Sequence, residues 1–266
     1  MNGPRSYRSK VALVAAVISA LVAWYTHRGA ENSRPVPADN RDTHPSRPRD
    51  EGPKSASAAD FDFYLLTLSW HPAFCAEGHE SKPECRVTQA HPLSIHGLWP
   101  EKFQAGAYPH DCQAPRLELN ATLARELEDY MPGMQSNLHE HEWRTHGACS
   151  GLDGNDYFQH ALDLARNLAA ALQPTLTTHA GGESSPAELR AAADAHQAGL
   201  GASFALQCRT LRDAPGGARG RPFLIEVRQC IDKDGPRGAP GKLLDCASVN
   251  RRDQGCGDSF QIMDSR

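Results

Sequence analysis

The sequence predicts an α+β domain in which helices flank an antiparallel core sheet and disulfides staple the fold. Strand-like runs, aromatic or alternating, fall near both ends of the folded region, and helix-like runs occupy its middle. Eight cysteines, Cys75, Cys85, Cys112, Cys149, Cys208, Cys230, Cys246 and Cys256, all lie beyond an export-type N-terminus. An even count in an exported chain points to disulfides. No C-x-x-C pair of the kind that zinc sites use is present.

Residues 1–29 read as a signal peptide or membrane anchor. Arg5, Arg8 and Lys10 precede Val11–Tyr25, which is apolar apart from Ser19. That run is shorter than the ~20 residues that span a bilayer comfortably. Trp24-Tyr25-Thr26-His27-Arg28 offers no small-x-small cleavage site, so N-terminal membrane anchoring stays open beside cleavage. Either way the rest of the chain crosses a membrane, which places it in the periplasm or outside the cell. Residues 30–58 are rich in Pro, Arg, Asp and Ser and bury too little to order themselves, so they read as a flexible linker. Residues 59–266 form one domain.

Within that domain, Phe61–Trp70 reads as a strand packed on at least one face. Cys75–Cys85 looks like a closed surface loop. Leu93–Leu98 reads as a second strand, stopped by Trp99-Pro100, and a loop then passes Gly106, Pro109 and Pro115. Leu123–Met131 is helical in propensity and ends at Pro132-Gly133. His139–His146 predicts a short helix ended by Gly147 as the C′ residue. Asp156 to about Leu172 carries an apolar stripe through Phe158, Leu162, Ala165 and Leu168, closed by Pro174. Ser185 caps another helix, with Glu188 at its third position. Phe204–Cys208 and the alternating Phe223–Asp232 are strands, separated by turn-rich Arg209–Arg221.

Two motifs carry the chemistry. His96 lies in Leu93-Ser94-Ile95-His96-Gly97-Leu98-Trp99-Pro100, and His146 in His141-Glu142-Trp143-Arg144-Thr145-His146-Gly147-Ala148-Cys149. An ordinary pKa near 6.5 lets one imidazole act as acid and another as base. RNA cleavage needs that pair: a base for the 2′-hydroxyl proton, an acid for the departing 5′-oxygen, and something to steady the charged phosphorane. DNA lacks the 2′-hydroxyl and should be inert. On a helix Glu142 and His146 are i and i+4, so the carboxylate would orient the imidazole. A lone His beside Gly and Trp is more often a packed core residue, so the pair carries the reading and neither residue does alone. The segment does not fit the metal motif H-E-x-x-H, because three residues separate Glu142 from His146. Charge counts mildly against a polyanion partner. Residues 1–58 hold nine basic and five acidic residues, which leaves 19 basic and 27 acidic in the domain, a net of −8.

Ile95-His96-Gly97-Leu98-Trp99-Pro100 and His141-Glu142-Trp143-x-x-His146-Gly147-x-Cys149 together resemble the two active-site segments of the T-two ribonuclease family. Phe61-Asp62-Phe63-Tyr64 is similar to that family's opening strand and Ile225–Cys230 to its late one, so the resemblance spans most of residues 60–260. It implies a metal-independent, cofactor-free endoribonuclease that acts on RNA and not DNA with low base preference. Products would end first in a 2′,3′-cyclic phosphate, then in a 3′-phosphate. His96 and His146 would be the acid–base pair, with His146 favoured as base because Glu142 can orient it. His141 would contact phosphate and Glu142 would help stabilise the transition state. Trp99 and Arg144 are further substrate-binding candidates, and a monomer is expected. The resemblance implies disulfides Cys112–Cys149 and Cys75–Cys85, with Cys208–Cys256 outside Cys230–Cys246 as one arrangement of the last four. One departure stands out: the family usually has Lys before the last histidine, where this chain has Thr145. A relative that binds RNA through the same groove without turnover is therefore the alternative reading.

Overall fold

The computed structural model describes residues 60–104, 106–212, 218–234 and 241–264. The signal or anchor and the linker expected over residues 1–58 lie outside them. In chain order the elements are β1 (Phe63–Trp70), α1 (His71–Ala76), β2 (Leu93–Glu101), α2 (Ala121–Tyr130), α3 (Leu138–Thr145), α4 (Gly154–Thr178), β3 (Glu183–Ser184), α5 (Pro186–His196), β4 (Phe204–Thr210), β5 (Pro222–Asp232) and β6 (Phe260–Gln261). The six strands form one sheet in the order β2-β1-β5-β6-β3, with β4 also paired to β5. β1, β2, β4 and β5 pair antiparallel, whereas the short β5–β6 contact and the isolated bridge of Gln207 to Gln254 are parallel.

β1 is buried along nearly its whole length instead of alternating. The reason is a core on each side. Tyr64, Leu66, Leu68 and Trp70 face the large core shared with the helices. Phe63 and Leu65 pack into a smaller cluster with Ala205, Cys230, Cys246 and Val249. The helices cover the first side, and the second is left partly open for chemistry.

Several boundaries differ from those the sequence predicts. β2 runs through Trp99-Pro100 to Glu101. It is an edge strand, where the sheet tolerates a proline that would break a central ladder. α4 likewise runs through Pro174 to Thr178. A mid-helix proline costs about 3 kcal/mol, but Ala170, whose carbonyl loses its partner, is exposed to water. Leu176, beyond the proline, is fully buried, and that burial offsets about 1.5–3 kcal/mol. α2 starts two residues before Leu123 because the Asn120 side chain accepts from the Leu123 N–H. The glycosylation-like triplet Asn120-Ala121-Thr122 thus holds a helix cap. Cys75–Cys85 is not a bare loop, since it takes in the end of α1 and a 3-10 turn at Pro83–Arg86. The eight cysteines form Cys75–Cys85, Cys112–Cys149, Cys208–Cys256 and Cys230–Cys246, the last two nested.

Candidate active site

In the ladder between β1 and β2, Thr67 faces Gly97 and Leu68 faces Ile95, so His96 is the extra residue of a β-bulge. A bulge re-aims a side chain without ending the strand. Here Ile95 stays in the helix-side core, while His96 turns to the other face, where its Nδ1 lies 2.8 Å from Glu226 Oε1. A second register shift, between β4 and β5, leaves Ile225 as the extra residue beside Glu226. Two bulges therefore border one site.

α3 supplies the second motif. Glu142 is buried on its inner face and passes directly over Gly97. Any side chain at Gly97 would overlap the Glu142 carboxylate and the Trp99 indole. That close approach lets Trp99 Nε1 donate to Glu142 Oε2 at 2.8 Å and puts His96 Nε2 3.9 Å from Glu142 Oε1. The Trp99 ring meets His96 edge-on at 5.3 Å between centroids and His146 at 5.4 Å, tilted by 38°. Both imidazoles thus pack on one indole, although fifty positions separate them in sequence. Trp143, by contrast, is core: it is buried and donates to the Pro115 carbonyl.

The end of this motif differs from the sequence expectation. α3 stops at Thr145, and His146 is its C-cap, with φ −124°. Gly147 opens a 3-10 turn and is not left-handed. Its missing side chain makes room for Trp143 and Tyr157. Because His146 is a C-cap with non-helical φ, its backbone keeps the bond to Glu142 while its side chain is not paired with the Glu142 carboxylate. Glu142 spends its carboxylate on Trp99 and His96, and His146 Nδ1 is buried with no hydrogen-bond partner among the described residues. What fixes His146 is its backbone: its N–H donates to the Glu142 carbonyl, its carbonyl accepts from Cys149 N–H, and the Asp111 N–H caps the Thr145 carbonyl. The Cys112–Cys149 disulfide joins the two chain segments that make these contacts.

The two histidines sit in opposite electrostatic settings. Burial pushes His96 down, but the Glu226 hydrogen bond and the charges of Glu226 and Glu142 outweigh it, so its pKa is raised. His146 is pushed down to about 4 by burial and by the neighbouring His141 and His96, against a weaker pull from Asp111. Glu142 is raised by burial, opposed by His96 and Trp99. Burial acts on Glu226 in the same sense, but its bond to His96 and the charge of Arg228 carry it below the usual carboxylate range.

A cavity of about 710 Å³ opens beside His96, lined there by His141, Glu226, Arg228, Ser136 and Asn137. His141 is exposed on α3 and reaches it. Trp99 is half-buried, its N–H taken by Glu142 and its ring by the imidazoles, so it serves as a wall of the site. Arg144 is not brought in: it is exposed and its Nε donates to the Glu140 carbonyl on its own helix. Sequence reasoning missed Glu226 and Arg228. Their signal was present in β5, where two charges alternate with apolar residues on a strand that is otherwise buried.

Residues 61–246 match the model of the Ribonuclease T2 family. A ribonuclease of Aeromonas hydrophila is 33% identical over 182 residues, covering 67% of this chain and 75% of that protein. Ribonuclease 1 of Arabidopsis thaliana is 30% identical over 197 residues, 68% of this chain and 80% of its own length. Among solved structures, a ribonuclease MC1 mutant in complex with 5′-GMP superposes with a TM-score of 0.57 at 26% identity, covering 76% of this chain and 100% of that one. With both histidine motifs inside the matched span, the chain belongs to the Ribonuclease T2 family and is an endoribonuclease.

Proposed function

We propose that this chain cleaves single-stranded RNA by metal-independent transphosphorylation, with His146 as base and His96 as acid in the first step. The observation that carries the assignment is that two imidazoles packed on one indole sit in opposed settings, one that lowers the pKa of His146 to about 4 and one that raises that of His96. His146 takes the 2′-hydroxyl proton, and the 2′-oxygen bonds to phosphorus. The bond from phosphorus to the 5′-oxygen breaks as His96 protonates that oxygen. The products are a 2′,3′-cyclic phosphate and a 5′-hydroxyl. Water then opens the ring to a 3′-phosphate with the two roles exchanged. His141 contacts the phosphate. Glu142, raised by burial, repels the phosphate less at acid pH than an ordinary carboxylate does.

The cavity beside His96 has the size of a ligand pocket, and a relative of the same fold is solved with a nucleotide; both support an RNA strand here. Base preference is low, DNA is left intact, and the protein acts as a monomer. Four disulfides favour an oxidising compartment, the periplasm or the exterior.

The test is to incubate oxidised protein with a short RNA in chelator and identify the product termini. A cyclic phosphate is expected, and a single 2′-deoxy substitution at the scissile position should block cleavage there. His96→Ala and His146→Ala should each lower the rate about 10²–10⁴-fold with the fold intact. Cleavage of the deoxy site, or loss of activity in chelator, overturns the mechanism. RNA binding without any cyclic product assigns the chain to the binding alternative that Thr145 raised.

A further inference from the structure

An RNA phosphorane gathers negative charge, and this site already holds two buried carboxylates, Glu142 and Glu226, inside a domain of net charge −8. Positive charge has to come from somewhere. The residue before His146 is Thr145, which is neutral. Arg144 faces away, held by the Glu140 carbonyl. Lys82 and Arg209 line the same cavity, but each lies beside its own carboxylate, Glu84 at 4.0 Å and Glu77 at 2.9 Å.

Arg228 is placed differently. It projects from the central strand β5 into the cavity that His96 and His141 line. Its guanidinium lies 5.7 Å from the centroid of Trp99, the ring on which both imidazoles pack. Glu226 accepts from its Nε at 2.9 Å and its Nη2 at 2.6 Å. Nη1 makes no hydrogen bond among the described residues, and the side chain is 30% exposed. A guanidinium gripped along one edge and stacked on an indole has already lost most of its rotamer freedom, so it binds an anion with its free edge at little further ordering cost. Glu226 also bridges Arg228 to His96. With His96 protonated, this three-residue array carries a net positive charge facing the cavity.

We infer that Arg228 is a catalytic residue, whose free guanidinium edge contacts the scissile phosphate and steadies the phosphorane. The inference rests on the reading of His96 and His146 as the proton-transferring pair. The competing role is positional, in which Arg228 only holds Glu226 against His96.

The two roles separate in four variants of the full, oxidised chain: Arg228→Ala, Arg228→Gln, Arg228→Ala with Thr145→Lys, and His146→Ala. Each is assayed for RNA cleavage across pH, for competitive inhibition by inorganic phosphate, and for folding by thermal melting. Arg228→Gln keeps polar bulk on the strand and serves if the alanine variant does not fold. Loss of Arg228 should lower kcat/KM about 10²-fold and weaken phosphate inhibition at least tenfold, with the basic limb of the pH profile in place or moved to higher pH, because the Arg228 charge opposes protonation of His96. A lysine at position 145, which lies on α3 and not beside Glu226 on β5, should recover at least tenfold of the lost activity. Phosphate inhibition unchanged by loss of Arg228 overturns the inference, as does a loss of activity accompanied by a downward move of the basic limb. His146→Ala retaining full activity would instead overturn the proton-transfer reading beneath it.

Discussion

The indole N–H of Trp99 donates to the Glu142 carboxylate at 2.8 Å, and this bond joins the first histidine motif to the second. Trp99→Phe keeps an aromatic ring, though a smaller one, between the imidazoles but leaves a buried carboxylate without its donor. An unsatisfied buried group of this kind costs about 1–3 kcal/mol. Urea unfolding should show a loss in that range, and kcat should fall as Glu142 shifts against His96. Unchanged stability would mean that Glu142 finds another donor.

The proposed mechanism requires His146 neutral and His96 protonated. His146 has a pKa lowered to about 4, so the rate rises with pH through that value. His96 is raised above its ordinary 6.5, so the rate falls only as pH passes beyond that point. The profile of kcat/KM against pH should be a bell with its acidic limb near 4. Glu226→Gln removes the charge that raises His96, and the basic limb should move to lower pH. A limb that stays in place would show that Glu226 does not set the state of His96.

Gly97 has no room for a side chain beneath Glu142 and Trp99. Gly97→Ala should cost about 1–3 kcal/mol through overpacking and lower kcat more than it raises KM, because it displaces the groups around His96. Thermal melting and steady-state kinetics check both parts.

The Cys112–Cys149 disulfide spans 37 residues and Cys75–Cys85 spans 10. By loop-closure entropy, opening the first costs about 4 kcal/mol and the second about 3. The double serine variants should therefore differ in denaturation midpoint. Only the Cys112/Cys149 pair should also lower activity in protein that is still folded, because that bond ties Asp111 to the turn carrying His146.

The two motif histidines were legible because each sits in a dense local motif, and α4 was legible from its apolar spacing, α2 from propensity and α5 from its cap, whereas the short α1 was not legible. What depends on distant partners was not. Glu226 and Arg228 read as ordinary residues of a strand until β5 is laid beside β1, with Ser69 opposite Glu226 and Thr67 opposite Arg228. Pro100 reads as a stop until β2 is known to be an edge, and Pro174 until Leu176 is known to be buried. The side-chain pairing of Glu142 with His146 failed because the Glu142 carboxylate is taken by Trp99 and His96, and His146 is a C-cap with non-helical φ. Two-residue strands such as β3 and β6 leave no periodicity to read.

The surplus residue in β2 has a consequence for how this protein can change. Sliding or trimming that strand by one position would erase the kink, and His96 would fall into step with its neighbours. Point substitutions leave the register of the strand as it is, but the spacing between Leu93 and Pro100 cannot drift. Insertions and deletions in that octet should therefore abolish function even where the chain still folds.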